Sequence, residues 1–188
     1  MVASPRQDFL DRIQAIVTEA DVPGICLVGI DGPAGSGKST AAQWLSDRFR
    51  WPVIEIDDFF SWVSFDDWWP RFESEVIEPL LAGRSIRYQV RDWAGDEFGD
   101  GLGGWKQLDW SPTIIIEGVG CTRVSVASDL ACRVWVDAPA EERLARGVMR
   151  DGESHRSLWT NYLTREASFF EVDQTAARAD IRLDTGGR

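Results

Sequence analysis

Gly32-Pro33-Ala34-Gly35-Ser36-Gly37-Lys38-Ser39 fits G-x-x-x-x-G-K-[ST], the pattern of a backbone loop that wraps the phosphates of a nucleotide. The spacing has a physical reason. Glycines reach φ values that other residues avoid, so successive backbone N–H groups turn inward and form a concave nest for anions. Lys38 then reaches the β- and γ-phosphates, and the Ser39 hydroxyl ligates Mg²⁺. At average residue usage the pattern arises by chance in a chain this long on the order of once in a hundred sequences. The flanks agree with it: Ile25-Cys26-Leu27-Val28-Gly29-Ile30 reads as a buried parallel strand, and Thr40-Ala41-Ala42-Gln43-Trp44-Leu45 as the start of a helix. The expected ligands are ATP and Mg²⁺, with Gly32, Ala34, Gly35, Ser36, Gly37, Lys38, Ser39 and Thr40 around the nucleotide.

Outward from the loop, apolar periodicity divides the chain. Ser4, Pro5 and Gln7 make a capping-box start, and Phe9, Leu10, Ile13, Ile16 and Val17 recur at helical spacing up to a Pro23-Gly24 break. The first strand is expected over 25–31 and the helix after the loop over 37–49. Pro52–Ile56 reads as a second strand ending in Asp57-Asp58-Phe59-Phe60, and 66–81 as a helix with Pro70 in its first turn, stopped by Ala82-Gly83. In 85–112, Ile86, Tyr88 and Val90 alternate as in a strand, while Asp100-Gly101 and Gly103-Gly104 supply turn chemistry; a hairpin excursion is expected. Thr113–Ile116 is the clearest buried strand. Cys132–Asp137 follows as another, then helices from Pro139 to Arg150 and from Ser157 to Phe170, a last edge strand at 179–183 and a frayed Gly186-Gly187 tail. Strands alternating with helices predict an α/β protein, a parallel sheet with helices on both faces. The expected organisation is one domain over 1–188, with an N-terminal helix in 1–22, the hairpin in 85–112 and a lid in 140–156.

Composition bounds the partners. The 188 residues are 44% hydrophobic and 27% charged, enough for one domain with a core, and the net charge is −11. An acidic surface repels a polymer's phosphate backbone, so no nucleic-acid polymer is expected as a partner; a small anionic ligand in a locally basic cleft fits. Cys26, Cys121 and Cys132 are odd in number and lack metal-ligand spacing, which suits buried thiols in a reducing compartment. With no apolar run near 18 residues and no basic-then-apolar start, the expected setting is cytoplasmic, with no membrane partner; homo-oligomerisation is left open.

Chemistry-bearing residues cluster at predicted strand ends, where open α/β sheets bind ligands. Asp57, about twenty residues past the loop, is a candidate to accept a hydroxyl proton; a turn or cap role is its alternative. Glu117, after three isoleucines and before a glycine, is placed to hold Mg²⁺ with Ser39, or else to cap. Arg143, Arg146 and Arg150, spaced i, i+3, i+7, share a helical face that would close over the triphosphate, or would pair with Glu141 and Glu142 as a solvated face. Of the Trp-rich middle third (Trp62, Trp68, Trp69, Trp93, Trp105 and Trp110), one or two are expected at an acceptor pocket and the rest in packing. His155, the sole histidine, receives no catalytic role.

In order along the chain, Ile30–Thr40, Ile56-Asp57-Asp58-Phe59-Phe60, Arg91-Asp92-Trp93, Ile115–Val119 and Arg143-Leu144-Ala145-Arg146 through Arg150-Asp151 resemble the nucleoside-kinase branch of the P-loop kinases, the uridine kinase and phosphoribulokinase-like family. The resemblance covers roughly residues 25 to 151. It implies a three-layer P-loop NTPase fold with a hairpin excursion and an arginine-bearing lid. It further implies transfer of the γ-phosphoryl of ATP to a hydroxyl of a small-molecule acceptor, most simply a nucleoside. In that arrangement Asp57 is the base, Lys38, Arg143, Arg146 and Arg150 stabilise the transferred charge, and Ser39 and Glu117 hold the metal. Asp58, Phe59, Arg91, Asp92 and Trp93 lie on the acceptor side. Arg91 stands where the family has an aromatic residue, and the 93–112 hairpin is rich in Gly and Trp. Two other classes compete: a nucleoside monophosphate kinase, with Arg71, Arg84, Arg87 or Arg91 clamping an acceptor phosphate, and a nucleotide-binding protein that phosphorylates no substrate. No Asn-Lys-x-Asp guanine-reading element is present.

Overall fold

A computed structural model describes residues 4–20, 24–65 and 67–187. Strands β1 (Cys26–Asp31), β2 (Val53–Glu55), β5 (Thr113–Glu117), β6 (Leu130–Asp137) and β7 (Ile181–Asp184) form one sheet in the order β2-β5-β1-β6-β7. All its pairings are parallel. β1 lies at the centre because it is apolar on both faces, and the sheet sorts its side chains by the two-residue period of a strand. Leu27, Ile114 and Ile116 turn to one face with Phe59, Phe72, Val76 and Leu80. Val28, Ile30 and Ile115 turn to the other, under Phe9, Leu10, Ile13, Ala41 and Leu45 of helices α1 (Pro5–Glu19) and α2 (Lys38–Phe49). The fold is thus the three-layer α/β arrangement of the P-loop kinases.

Local chemistry sets the element boundaries. Ser4 Oγ caps α1 by accepting Gln7 N–H at 3.2 Å, but the Gln7 side chain turns to Asp11 and does not complete the reciprocal bond of a capping box. Pro23 of the expected break lies outside the described residues, as does Asp66 at the expected start of the third helix. That helix begins as α3 (Trp69–Phe72), widens into a π turn over Glu73–Ile77 and resumes as α4 (Glu78–Leu81). Pro79 explains the widening: it has no N–H to give to the carbonyl four residues back, and Glu78 N–H reaches Glu73 O five residues back instead. The periodicity of the apolar residues had not registered this proline.

β3 (Ile86–Arg91) and β4 (Leu102–Leu108) form the expected hairpin as a separate antiparallel sheet. Gly103-Gly104, read from sequence as a turn, lies instead inside β4, and the connection is the loop of residues 92–101. β2 stops at Glu55, so Asp57 and Asp58 sit in a 3₁₀ turn at Ile56–Asp58. Helix α5 (Ala140–Asp151) follows β6, and α6 (Arg156–Asp173) follows a short turn at Glu153–His155. The tail is tied down where fraying was expected. Gly187 N–H donates to Glu142 on α5, and Arg146 Nη2 donates to Thr185 O at 3.0 Å. No described helix is long and apolar enough to cross a membrane.

Asp31, at the end of β1, carries the join between sheet and loops. Its fully buried carboxylate accepts Gly32 N–H, Gly120 N–H, Thr122 N–H and Thr122 Oγ at 2.7 to 3.0 Å. Asp31→Asn swaps one acceptor oxygen for a donor facing these N–H groups. It is expected to lower unfolding free energy by about 3 kcal/mol, read from urea unfolding at neutral pH; a loss under about 1 kcal/mol would contradict the role assigned to Asp31.

Candidate functional site

At the C-terminal edge of the sheet, register places Glu55, Ile30 and Glu117 side by side. A cavity of about 580 Å³ opens above them. Its floor on one side is the phosphate loop. Gly32 has φ 140°, and a Cβ there would lie 2.0 Å from Val136 O; Gly35 has φ 77°, with Arg143 O 2.6 Å from where its Cβ would be. Only glycine allows both the conformation and the approach. Gly35, Gly37, Lys38, Ser39 and Thr40 line the cavity. Lys38 is buried, and its ammonium donates to Pro33 O at 3.1 Å, the single hydrogen bond it makes among the described residues. Ser36 Oγ is buried with no hydrogen-bond partner among them.

Across the loop, Ser39 Oγ donates to Glu117 Oε1 at 2.9 Å, joining residues 78 apart in sequence. Burial pushes the Glu117 carboxyl up to about 7; the Asp57 charge adds to this, while Lys38 and the Ser39 hydrogen bond pull it back. A hydroxyl and a buried carboxylate, both hard oxygen donors, fit a Mg²⁺ ion. No group of three or more His, Cys, Asp or Glu side chains makes a metal cage among the described residues. That suits an ion which takes most of its ligands from phosphate oxygens and water.

The opposite wall is acidic and aromatic. Asp57 lines it, with Phe60, Trp62 and Trp93, and Trp93 Nε1 donates to Asp57 O at 2.9 Å. Trp62 stands nearly perpendicular to Trp93, Trp159 and Tyr162, with ring centroids 5.8 to 6.3 Å apart. Trp68 and Trp69 are core residues, Trp110 is held by Leu80 O, and Trp105 lies on the surface beneath Arg87. Asp58 reaches the cavity, but its carboxylate is spoken for by Tyr88 Oη at 2.9 Å and Lys106 Nζ at 2.7 Å, which anchor the hairpin to the end of β2.

Of the candidates beyond the phosphate loop, four sit elsewhere. Phe59 is 5% exposed and packs on Phe72 and Tyr88, while its neighbour Phe60 takes the cavity wall. Arg91 is 3% exposed and gives its guanidinium to the carbonyls of Asp92, Asp96, Gly99 and Gly101, organising the hairpin loop. Asp92 Oδ1 accepts Gly95 N–H in the same loop and does not line the cavity. Arg143 turns away from the cavity to Glu166 and Ala138 O, each within 3.0 Å. The arginine row is therefore divided: Arg150 lines the cavity paired with Asp151, and Arg146 lines it while donating to Gly35 O at 3.1 Å. The i, i+3, i+7 spacing specifies a common face, but a helix seated on the loop points successive members of that face at different partners.

Sequence reasoning missed Trp159, Tyr162 and Glu97, and gave His155 no role. His155 Nε2 meets Glu97 Oε1 at 2.8 Å, closing the hairpin loop against the turn before α6, and both line the cavity. No local pattern flags that pair, because each half is an ordinary polar loop residue until the hairpin folds over.

No protein-family model matches the chain. The chain is similar to curated uridine kinases. One from Brevibacillus brevis is 26% identical, with 86% of this chain and 85% of that protein covered. Another from Clostridium novyi is also 26% identical, with coverages of 86% and 88%. Among solved structures, one described as a possible uridine kinase from Bacillus stearothermophilus superposes with a TM-score of 0.70 at 21% identity, covering 94% of this chain and 98% of that one. These similarities support a P-loop kinase.

The Glu117 carboxyl also makes a stability prediction. Its folded value of about 7 lies above the ordinary 4.5, so the folded state holds the extra proton between those values, and stability falls as pH rises through that window. Glu117→Gln keeps an acceptor for Ser39 and removes the charge. Ligand-free Glu117→Gln protein is expected to melt about 2–4 °C higher than wild type at pH 8, as about 1 kcal/mol would produce, with no difference at pH 4. A lower melting temperature at pH 8 in scanning calorimetry would contradict it.

Proposed function

We propose that this protein transfers the γ-phosphoryl of ATP to a hydroxyl of a small acceptor, with nucleosides as the acceptor class. The observation that carries the reading is one cavity with the phosphate loop, Lys38 and the Ser39–Glu117 pair on one side and Asp57 with three aromatic rings on the other. Phosphoryl transfer needs this division, since the protein contributes position and charge more than covalent chemistry. Loop N–H groups and Lys38 cradle the phosphates; Ser39 and Glu117 would hold Mg²⁺, which would supply neutralisation of the phosphate charge. Asp57 accepts the proton of the attacking hydroxyl, and Arg150 and Arg146 face the same space from the lid segment. Phe60, Trp62 and Trp93 offer a planar base something to stack on. The curated relatives are named uridine kinase, so uridine is the first acceptor to test.

A nucleoside monophosphate kinase would need arginines on the acceptor side. Arg71 is engaged with Glu75 and Gln89 O, Arg87 lies over Trp105, Arg91 serves the hairpin loop, and neither these nor Arg84 lines the cavity. Asp57 there, in no ion pair among the described residues, would repel an acceptor phosphate.

Nucleosides, nucleotides and small sugars are offered with labelled ATP, and Lys38→Ala serves as the blank. Transfer to a nucleoside is expected, absent in the blank. Asp57→Asn is expected to lose about 10²–10⁴-fold in kcat. A phosphate acceptor is already ionised and needs no base, so undiminished transfer by Asp57→Asn would indicate one. Release of free phosphate with every acceptor would sink the kinase reading.

A further inference from the structure

Nothing in the phosphate-loop pattern calls for an acidic partner, yet an acid is seated against the loop. Glu166 of α6 is 1% exposed. Its Oε2 accepts Ala34 N–H at 2.8 Å, and its Oε1 accepts Arg143 Nη1 at 2.8 Å. Arg143 in turn donates from Nε to Ala138 O at 3.0 Å, just past the end of β6. One carboxylate thereby ties together the loop, α5, α6 and the edge of the sheet. Glu166 does not line the cavity, although Ala34 does, so it holds the loop from behind and leaves the ligand side clear. Burying a carboxylate and a guanidinium is expensive, and an apolar pair of similar volume packs two helices as well or better. The observed pair does what an apolar one cannot: it fixes the orientation of one peptide of the loop and of one arginine together.

We propose that Glu166 is a positioning residue of the donor site, holding the Ala34 peptide and Arg143 as one unit so that the loop is preformed for the triphosphate. The inference rests on the loop being the ATP site. A loop that keeps its shape without ligand loses no ordering entropy on binding, so the unit acts on ATP affinity. Lys38 and Tyr162 are further ionisable groups that interact with this carboxylate, and both remain in the variants below.

The test is calorimetric titration of Mg·ATP into the intact protein at pH 8, above the value of about 7 to which burial pushes the Glu166 carboxyl, so that no acceptor need be known, with thermal melts alongside. Glu166→Gln keeps the shape and one acceptor oxygen but loses the charge that holds Arg143. It is expected to raise the Kd for ATP about tenfold, as loss of a charge-assisted hydrogen bond would, with a melting temperature unchanged or higher. Arg143→Gln is expected to do the same, and Arg143→Lys to recover part of the loss. The double variant is expected to be no weaker than the worse single, because the two side chains act as a unit. An unchanged Kd in Glu166→Gln, or losses that multiply in the double variant, overturns the proposal. So does a lowered melting temperature with normal ATP affinity, which would make Glu166 a packing brace. If Glu166→Gln fails to fold, an unchanged Kd in Arg143→Gln overturns it equally. Lys38→Ala separates the two claims: if it binds ATP like wild type, the loop is not the ATP site, and the functional reading fails rather than the role of Glu166.

Discussion

A loop that keeps some of its N–H groups for a ligand needs other groups to hold its shape. That constraint runs through the molecule: four peptides of the phosphate loop are held by side chains outside it, and within it Ser36 N–H donates to Pro33 O. Asp31, ending β1, takes Gly32 N–H. Glu166, from α6, takes Ala34 N–H. Arg146, from α5, donates to Gly35 O, and Thr185, beyond β7, donates to Ser36 O. The central strand, both late helices and the tail therefore converge on eight residues. The convergence also accounts for buried charge in a fold that otherwise sorts its apolar residues cleanly to two faces of a sheet.

The two sides of the cavity are built by different means. The donor side is made of backbone and of residues at strand ends, and its groups are left under-satisfied: among the described residues Ser36 Oγ has no partner and Lys38 has one carbonyl, and the Glu117 carboxyl is raised by burial. Groups in that condition gain from a bound polyanion and its cation. The facing side is made of side chains already engaged with one another. Asp58 holds the hairpin through Tyr88 and Lys106, and Glu97 and His155 hold the hairpin loop to the approach of α6. Its free surface consists of aromatic faces and the Asp57 carboxylate.

Legibility from sequence followed the range of the physics involved. The phosphate loop, the strand–loop–helix order and the apolar alternation are local, and so were Asp57 and Glu117, which could be singled out because a strand's C-terminal end is recognisable from the strand itself. Phe59 and Phe60 were not separable, because which of two adjacent aromatics faces the core depends on the 3₁₀ turn that follows β2. Arg91 and Asp92 were drawn toward the acceptor by resemblance and went instead to the hairpin loop, whose inward carbonyls needed a five-donor guanidinium. The π turn at Glu73–Ile77 was in principle readable from Pro79, since a missing N–H is a property of one residue.

By itself the sequence determined the class of fold, the order of its elements and the position of the phosphate-binding loop. Backbone φ preference and two- and 3.6-residue periodicity act within a few residues and survive in a string of letters. Only the tertiary structure decided that Arg143 pairs with Glu166, that His155 closes on Glu97, and that the tail is a brace. Those partners lie 23 and 58 residues apart, and Ala34 and Glu166 lie 132 apart. A buried charge seeks whichever opposite group the completed packing brings within hydrogen-bond reach, and no local pattern encodes that distance.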